Sequence, residues 1–147
     1  MEDAKAGEVL RFLLDTNVIS ELRKPRPHGG VLAWMQAYPT DAFATPTIAL
    51  FELQIGTEKL RLQDPVRAQE FDFWIDRIAG GSTILSLDAA AARLAARLME
   101  KQAMELMADA MIAAIAKVNG LTVATRNTRD FVRFDVPLVN PFTFERL

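Results

Sequence analysis

Four acidic residues of this 147-residue chain are poorly explained by helix capping or by a solvated surface. They are spread along the sequence: Asp15, Glu52, Asp109 and Asp130. Carboxylates that lie close together repel one another and raise one another's pKa unless a cation neutralises them. Oxygen ligands without His or Cys favour Mg²⁺ or Mn²⁺ over Zn²⁺. Four such acids in one pocket would therefore bind a hard divalent cation, which can activate water for attack on a phosphoryl group.

The first two acids each interrupt an apolar segment. The run Phe12–Leu14 suits a strand buried on both faces of a parallel sheet, and Asp15 ends it where open α/β sheets bind ligands. Asp15 could equally serve only as the cap of a helix beginning near Val18. Glu52 shares a predicted helix face with the isoleucines four residues before it and three after it. A buried, unpaired carboxylate is costly, so Glu52 indicates either a site or a ridge that is only half covered.

The last two acids lie beside predicted element ends. Asp109 opens the apolar segment 110–115, where a cap and a ligand are both compatible with the pattern. Asp130 follows the predicted strand 121–125 after a short turn. A doubly wound topology would gather such residues along one edge of the sheet. Asp88, in contrast, is fully explained as the cap of the Ala-rich helix that follows it.

Short apolar runs alternate with amphipathic segments along the whole chain. The patterns predict helices at 18–23, 31–37, 45–62, 64–78, 89–103 and 107–119. They predict strands at 12–14, 42–45, 83–87, 121–125 and 136–139. Thr45 and Pro46 are typical of an N-cap and a first helical residue, and Gly120 is typical of a C-terminal cap. This alternation predicts a parallel α/β sheet with helices on both sides.

Composition restricts the classes of function. The chain has no cysteine, which excludes disulfides and thiolate metal sites and is compatible with a reducing cytoplasm. The single histidine, His28, lies among Pro and Gly, so neither a His-based zinc site nor a Ser-His-Asp triad is expected. A net charge of −2 gives no overall basic field for nucleic acid but allows local patches. No stretch is apolar enough for a membrane span, and 1–10 is expected to be a flexible leader before one domain at 11–147.

Four segments resemble the four acidic motifs of the PIN domain, in particular those of the VapC and FitB toxins of type II toxin–antitoxin pairs. They are Leu-Leu-Asp-Thr-Asn-Val-Ile-Ser-Glu-Leu (13–22), Phe-Glu-Leu-Gln-Ile-Gly (51–56), Ala-Asp-Ala-Met-Ile-Ala-Ala (108–114) and Thr-Arg-Asn-Thr-Arg-Asp-Phe (125–131). Each segment alone is a weak signal, but four in order over 11–142 are highly specific. The chain departs from the family at 100–108, which lacks the Gly-Pro-type turn that commonly separates the two helices before the third motif.

The resemblance implies a three-layer α/β/α sandwich and an Mg²⁺- or Mn²⁺-dependent endoribonuclease, usually a cytoplasmic homodimer inhibited by a cognate antitoxin. DNA would be contacted only indirectly, through that antitoxin. Asp15, Glu52, Asp109 and Asp130 fall on the family's catalytic and metal-binding positions, with Asp130 the most suited to act through water. Neighbouring polar side chains are expected to orient these acids or a bound water: Thr16, Asn17, Thr125 and Asn127.

RNA binding requires cations near the acidic centre, because the phosphate backbone dominates affinity. The candidates follow the first and last motifs and would form a basic rim: Arg23, Lys24, Arg26, Arg126, Arg129 and Arg133. For each of them, scattered solvated charge is the alternative. Trp34 and Tyr38 could stack on bases, although core or interface packing is favoured for Trp34 because its helix is otherwise apolar. Phe71, Phe73 and Trp74 could face the core, a dimer partner or an antitoxin.

Three other classes of protein compete with the nuclease. A receiver-like signalling domain would phosphorylate Asp15 or Asp88, but Arg126 rather than a lysine follows the strand of the last motif. Glu52 would also have no role there. A haloacid-dehalogenase-type phosphatase would need an aspartate two residues after the first one, where Asn17 stands. A catalytically silent binding module would have no use for four mutually repelling acids.

Overall fold

The computed structural model describes residues 10–145. Its seven α-helices are α1 (Thr16–Arg23), α2 (Gly29–Gln36), α3 (Thr47–Arg61), α4 (Pro65–Gly81), α5 (Ala89–Leu98), α6 (Met107–Asn119) and α7 (Thr128–Val132). Its strands are β1 (Phe12–Leu14), β2 (Phe43–Pro46), β3 (Thr83–Leu85), β4 (Thr122–Ala124) and β5 (Leu138–Val139). The predicted leader lies outside the described residues except for Leu10, which packs against the core.

The five strands form one sheet in the order β3-β2-β1-β4-β5, and every neighbouring pair is parallel. The central strand β1 pairs Leu13 with Ala44 on one side and with Val123 on the other. At least one helix lies between each pair of consecutive strands, as parallel connections require. The predicted α/β class is therefore confirmed. This strand order differs from the 2-1-3-4-5 order of receiver-like domains, which removes that alternative.

Consecutive residues of β1 point to opposite faces of the sheet and so build two separate cores. Phe12 and Leu14 pack with residues of α1 and α2 on one face. Leu13 packs with residues of α5 and α6 on the other. Helices thus cover both faces, which gives three layers. Trp34 is 1% exposed and lies edge-on to Phe12, with ring centroids 4.9 Å apart, so its predicted place in the core is confirmed.

Helix α6 is the most deeply buried of the helices. Ala110 and every residue of the run 112–116 have no exposed surface. Small alanine side chains let the helix lie close to the sheet. Gly120 ends the helix at φ +68, the left-handed conformation that favours glycine, as predicted. Asp109 therefore sits in the first turn of a helix that is held firmly by the core. No helix within residues 10–145 is long and apolar enough to cross a membrane.

The prediction that Thr45 and Pro46 cap and open a helix is wrong. Both residues belong to β2, where Thr45 pairs with Ile84 and Pro46 with the next residue of β3. Pairing with β3 outweighs the local preference of the Thr-Pro pair for a helix start. Helix α3 begins at Thr47, and the Thr47 hydroxyl accepts a hydrogen bond from the backbone N–H of Leu87 at 3.3 Å.

The helix predicted over 89–103 ends at Leu98. Lys101 has φ +62, a left-handed conformation through which a right-handed helix cannot continue. A 3₁₀ turn, Met104–Leu106, then leads into α6. The two helices are thus separated without a Gly-Pro turn, and Asp109 follows a clear break. Other predicted element ends differ from the structure by one to three residues.

Candidate active site

Asp15 lies at the carboxyl end of β1 and is also the N-cap residue of α1. Its Oδ1 accepts a hydrogen bond from the Thr16 N–H at 2.8 Å. Its Oδ2 accepts from the Thr125 hydroxyl at 2.7 Å and from the Asn17 side-chain amide at 3.2 Å. Burial raises the pKa of Asp15, since only 4% of the residue is exposed, and these three hydrogen bonds oppose the rise. Asp15 therefore caps α1, and this capping role is compatible with the predicted site role.

Glu52, on α3, is joined to Asp15 through a single residue. Its Oε1 accepts a hydrogen bond from the Thr16 hydroxyl at 2.5 Å, while the Thr16 N–H donates to Asp15. The charge of Glu52 also raises the pKa of Asp15. The ridge that carries Glu52 is half covered, because Ile55 is 41% exposed. Glu52 thus lies partly buried at the edge of solvent, with its carboxylate directed to the first motif.

Asp109 lies within electrostatic range of the other three acids. It lies in the first turn of α6, which has no side-chain cap. Burial raises the pKa of Asp109 to about 7, and the next contributions come from the charges of Asp15, Asp130 and Glu52. Arg133 opposes the rise. Acids from three other parts of the chain therefore act on Asp109.

A hydrogen-bonded chain connects this centre with the last motif. Thr125 is fully buried, donates to Asp15, and accepts the backbone N–H of Asn127 at 2.9 Å. The Asn17 side-chain oxygen accepts the backbone N–H of Arg126 at 3.2 Å. The loop after β4 is thus fixed to the first turn of α1. Of the polar residues predicted to orient the acids, Asn127 reaches the network through its backbone and the others through side chains.

Two of the three cations in the first predicted RNA-binding cluster contact other side chains of the protein. The Arg23 guanidinium lies over the ring of Phe71, 3.5 Å from its centroid. Lys24 forms an ion pair with the buried Glu21 at 2.9 Å. Arg26 is exposed.

The second cluster flanks Asp130 along the chain. The guanidinium of Arg126 is 4.4 Å from the ring centroid of Phe142, and the residue is exposed. Arg129 is exposed on α7. Arg133 approaches Asp130 at 4.0 Å. These arginines stand beside the last motif with at least part of each side chain open to solvent.

Three residues that could have carried chemistry have structural contacts instead. His28 caps α2, with its Nδ1 accepting the Gly30 N–H at 3.0 Å. Asp88 caps α5 by accepting the Ala91 N–H at 2.9 Å, as predicted. Tyr38 packs edge-on against a core ring, with centroids 4.8 Å apart.

Sequence patterns did not reveal a cavity of about 300 Å³ that adjoins Glu52. It lies between α1, α3 and α4, and Gly56 and Thr57 line it from α3. The one sequence feature that could have indicated the cavity is the pair of small residues, Gly56 and Thr57, in the middle of an amphipathic helix. Periodicity could not show which neighbouring elements would enclose the space beside them.

The donor chemistry of the site fits a hard divalent cation. The centre offers carboxylates with hydroxyl and amide neighbours, and burial together with the charges of neighbouring acids raises the pKa of Asp15 and of Asp109. Within residues 10–145, no group of three or more Asp, Glu or His side chains is already arranged to hold a metal ion. Gathering three carboxylates on one ion therefore requires side-chain movement.

A parallel α/β/α sandwich with acids collected beyond the ends of its central strands defines the class of this protein. The PIN domain family matches residues 12–137, and the chain belongs to that family. It is 34% identical over 138 residues to Toxin FitB of Neisseria gonorrhoeae, covering 89% of this chain and 98% of that protein. It is 34% identical over 141 residues to VapC ribonuclease Y4jK of Sinorhizobium fredii, covering 89% and 97%. The solved structure of FitAB bound to an IR36 DNA fragment matches with a TM-score of 0.76 and 30% identity, covering 92% of this chain and 98% of that chain.

Proposed function

We propose that this protein is the toxin of a type II toxin–antitoxin pair and acts as a metal-dependent endoribonuclease. One observation carries the proposal: Thr16 donates hydrogen bonds to both Asp15 and Glu52, and the charges of these two acids and of Asp130 add to the effect of burial in raising the pKa of Asp109. Repelling carboxylates kept together in this way are typical of a site whose ligand neutralises them. The similarity to a FitB toxin and to a VapC ribonuclease supports the same assignment.

We assign the cation, Mg²⁺ or Mn²⁺, to Asp15, Glu52 and Asp109, with Asp130 contributing from the edge through water. When bound, such a cation supplies charge neutralisation and Lewis-acid polarisation of the scissile phosphate and of the attacking water. The all-oxygen donor set supports this choice over zinc.

The protein's own residues position these acids. Thr125 and Asn17 hold one oxygen of Asp15, and the backbone of Thr16 holds the other. The Thr16 hydroxyl fixes Glu52 relative to Asp15. In the proposed reaction, water attacks phosphorus and the bond to the 3′-oxygen breaks. The products are a 5′-phosphate and a 3′-hydroxyl.

We assign backbone contacts with RNA to the exposed arginines of the rim, foremost Arg126 and Arg129, which flank the last motif. Arg26 adds an exposed cation after the first motif. Arg23 already contacts Phe71, and Lys24 already contacts Glu21. In this proposal these two cations therefore contribute less to RNA binding than the exposed arginines.

We further propose a cognate antitoxin that covers the acidic centre, and a cytoplasmic location where RNA and a newly made antitoxin are both present. FitAB was solved on a DNA fragment, and we propose that this chain contacts DNA only through its antitoxin. A homodimer is supported by apolar side chains left exposed on or beside α3 and α4: Phe51 at 64%, Leu62 at 88% and Val66 at 72%. Light scattering on the partner-free protein tests the homodimer directly.

Purified protein freed of any partner should cleave single-stranded RNA with Mg²⁺ or Mn²⁺ and stop when EDTA is added. Asp15→Asn and Asp109→Asn should abolish cleavage while circular dichroism reports an intact fold. Asp76→Asn, on the exposed side of α4, is the matched control and should cleave at the parental rate. Full activity in both site variants, or cleavage that persists in EDTA, would overturn the proposal.

A further inference from the structure

The cavity between α1, α3 and α4 opens directly onto the acidic centre. It measures about 300 Å³, the lower end of the range for small-ligand pockets. Thr16 and Glu52, which belong to the acidic network, form one end of it. Leu53 and Leu60 line it from α3, and Phe71 lines it from α4. An occupant would therefore have apolar walls around it and the Glu52 carboxylate at one end.

The Phe71 ring that lines this cavity also contacts two side chains that do not line it, Arg23 and Trp74. The Arg23 guanidinium lies over the ring, 3.5 Å from its centroid. Trp74 meets the ring edge-on, with centroids 6.4 Å apart. The Nε of Arg23 is buried and finds no hydrogen-bond partner among residues 10–145. A fixed aromatic ring beside aliphatic walls suits a flat ligand with an apolar face.

We propose that this cavity holds one base of the RNA substrate, the base next to the scissile phosphate, stacked against Phe71. The inference rests on the proposed ribonuclease function and deepens it. A base at this position is joined through its ribose to a phosphate, and the cavity is likewise joined to the acidic centre through Thr16 and Glu52. Ser20 lines the same cavity and brings a hydroxyl that can hydrogen-bond a base edge. The site therefore selects single-stranded RNA whose bases can turn out of a stack.

A larger side chain at Gly56 would fill the cavity, whereas Phe71→Ala would enlarge it. Gly56 lines the cavity from α3, and a Cβ added there meets no heavy atom within 4 Å. Gly56→Leu should thus occupy the space of the base and keep the fold, because leucine favours a helix more than glycine does. Gly80→Leu is the matched control: Gly80 lies on α4, away from this cavity, and an added Cβ there also meets nothing within 4 Å.

The first measurement is kcat/KM on a single-stranded RNA whose cleaved bonds have been mapped with the parent protein. Phe71→Ala and Gly56→Leu should each lower kcat/KM by roughly 5- to 150-fold, the loss expected from removing one stacked base. Phe71→Trp should keep most of the activity. An abasic nucleotide beside the cleaved bond should slow the parent by a similar factor and leave Gly56→Leu with little further loss.

The second measurement is binding without catalysis. RNA carrying 2-aminopurine beside the cleaved bond should lose fluorescence on binding the metal-free parent, and this quenching should be absent for Phe71→Ala and Gly56→Leu. If the parent cleaves RNA and both variants cleave and quench like the parent, the base site is wrong while the ribonuclease stands. If the variants lose only affinity for an antitoxin, the cavity binds a protein side chain and the base site is again wrong. If the parent protein cleaves no RNA under any condition, the proposed ribonuclease function is wrong.

Discussion

Replacing Asp109 by Asn tests whether charge repulsion destabilises the metal-free acidic centre. Asparagine keeps the size of the side chain and removes its charge. Burial and the charges of three other acids raise the pKa of Asp109 to about 7 in the folded protein. Ionising Asp109 in the folded state therefore costs free energy that the unfolded chain does not incur. We expect Asp109→Asn to raise the free energy of unfolding of the metal-free protein above pH 7.

The size of the effect follows from the shift. From the ordinary value of 3.8 to about 7 is roughly three pH units, and each unit corresponds to about 1.4 kcal/mol. The upper limit is therefore roughly 4 kcal/mol, and partial exposure with side-chain relaxation reduces it to about 2 kcal/mol. Because the pKa of Asp109 is higher in the folded protein, Asp109 keeps its proton between pH 3.8 and about 7 in the folded state but loses it in the unfolded chain. The contribution of Asp109 is thus fully present below pH 3.8 and is lost as pH rises through about 7.

Urea unfolding in EDTA at pH 4, 6 and 8 provides the assay, and the measured quantity is the difference between variant and parent. The difference should be near zero at pH 4 and should favour Asp109→Asn by about 2 kcal/mol at pH 8. Asp76→Asn controls for the loss of one exposed carboxylate. Mg²⁺ at pH 8 should then stabilise the parent more than the variant. A difference that does not change between pH 4 and pH 8 would refute the repulsion.

The remaining predictions concern the network, the rim and the core. Thr125→Val removes the hydroxyl that donates a hydrogen bond to Asp15. We expect the free energy of unfolding in urea to fall by about 1 to 3 kcal/mol and the acid limb of the pH–rate profile to move to higher pH. Thr125→Ser should restore both. Arg126→Ala and Arg129→Ala should raise KM for RNA and lower the slope of log affinity against log salt by roughly 0.7 for each phosphate that is no longer neutralised, measured from 50 to 200 mM salt. Trp34→Ala should cost about 3 to 5 kcal/mol, because the ring is 1% exposed, and a loss below 1 kcal/mol would contradict its place in the core.

The class of fold could be predicted, and the acids could be singled out as candidates, because their signals are local. Asp15 ends an apolar strand and Glu52 interrupts an apolar helical ridge, so each carboxylate is conspicuous among the apolar residues within a few positions of it. The α/β alternation is a matter of periodicity. Gly120 was predicted as a helix end for the same reason, since the left-handed conformation it adopts favours one residue type.

The errors arose where tertiary contacts outweighed local preference. Pro46 became the end of a strand because β3 pairs with it, although the Thr-Pro pair is typical of a helix start. The break after α5 depends on Lys101, whose left-handed backbone no local rule requires of a lysine. The contact between Arg23 and Phe71 joins residues 48 positions apart, and the cavity beside it exists only once α1, α3 and α4 are packed. Such features are properties of the assembled layers.

Asp15 shows why two interpretations of one residue need not compete. The chain must leave β1 and start α1 at this point, and a side-chain oxygen at the N-cap satisfies a backbone N–H that would otherwise lack a partner. That bond uses one carboxylate oxygen and fixes the plane of the group, while Thr125 and Asn17 fix the other oxygen. Asparagine caps a helix about as well as aspartate, so Asp15→Asn removes the charge and keeps the cap. Alanine removes both, and only the asparagine variant therefore separates the chemistry of this carboxylate from its part in the fold.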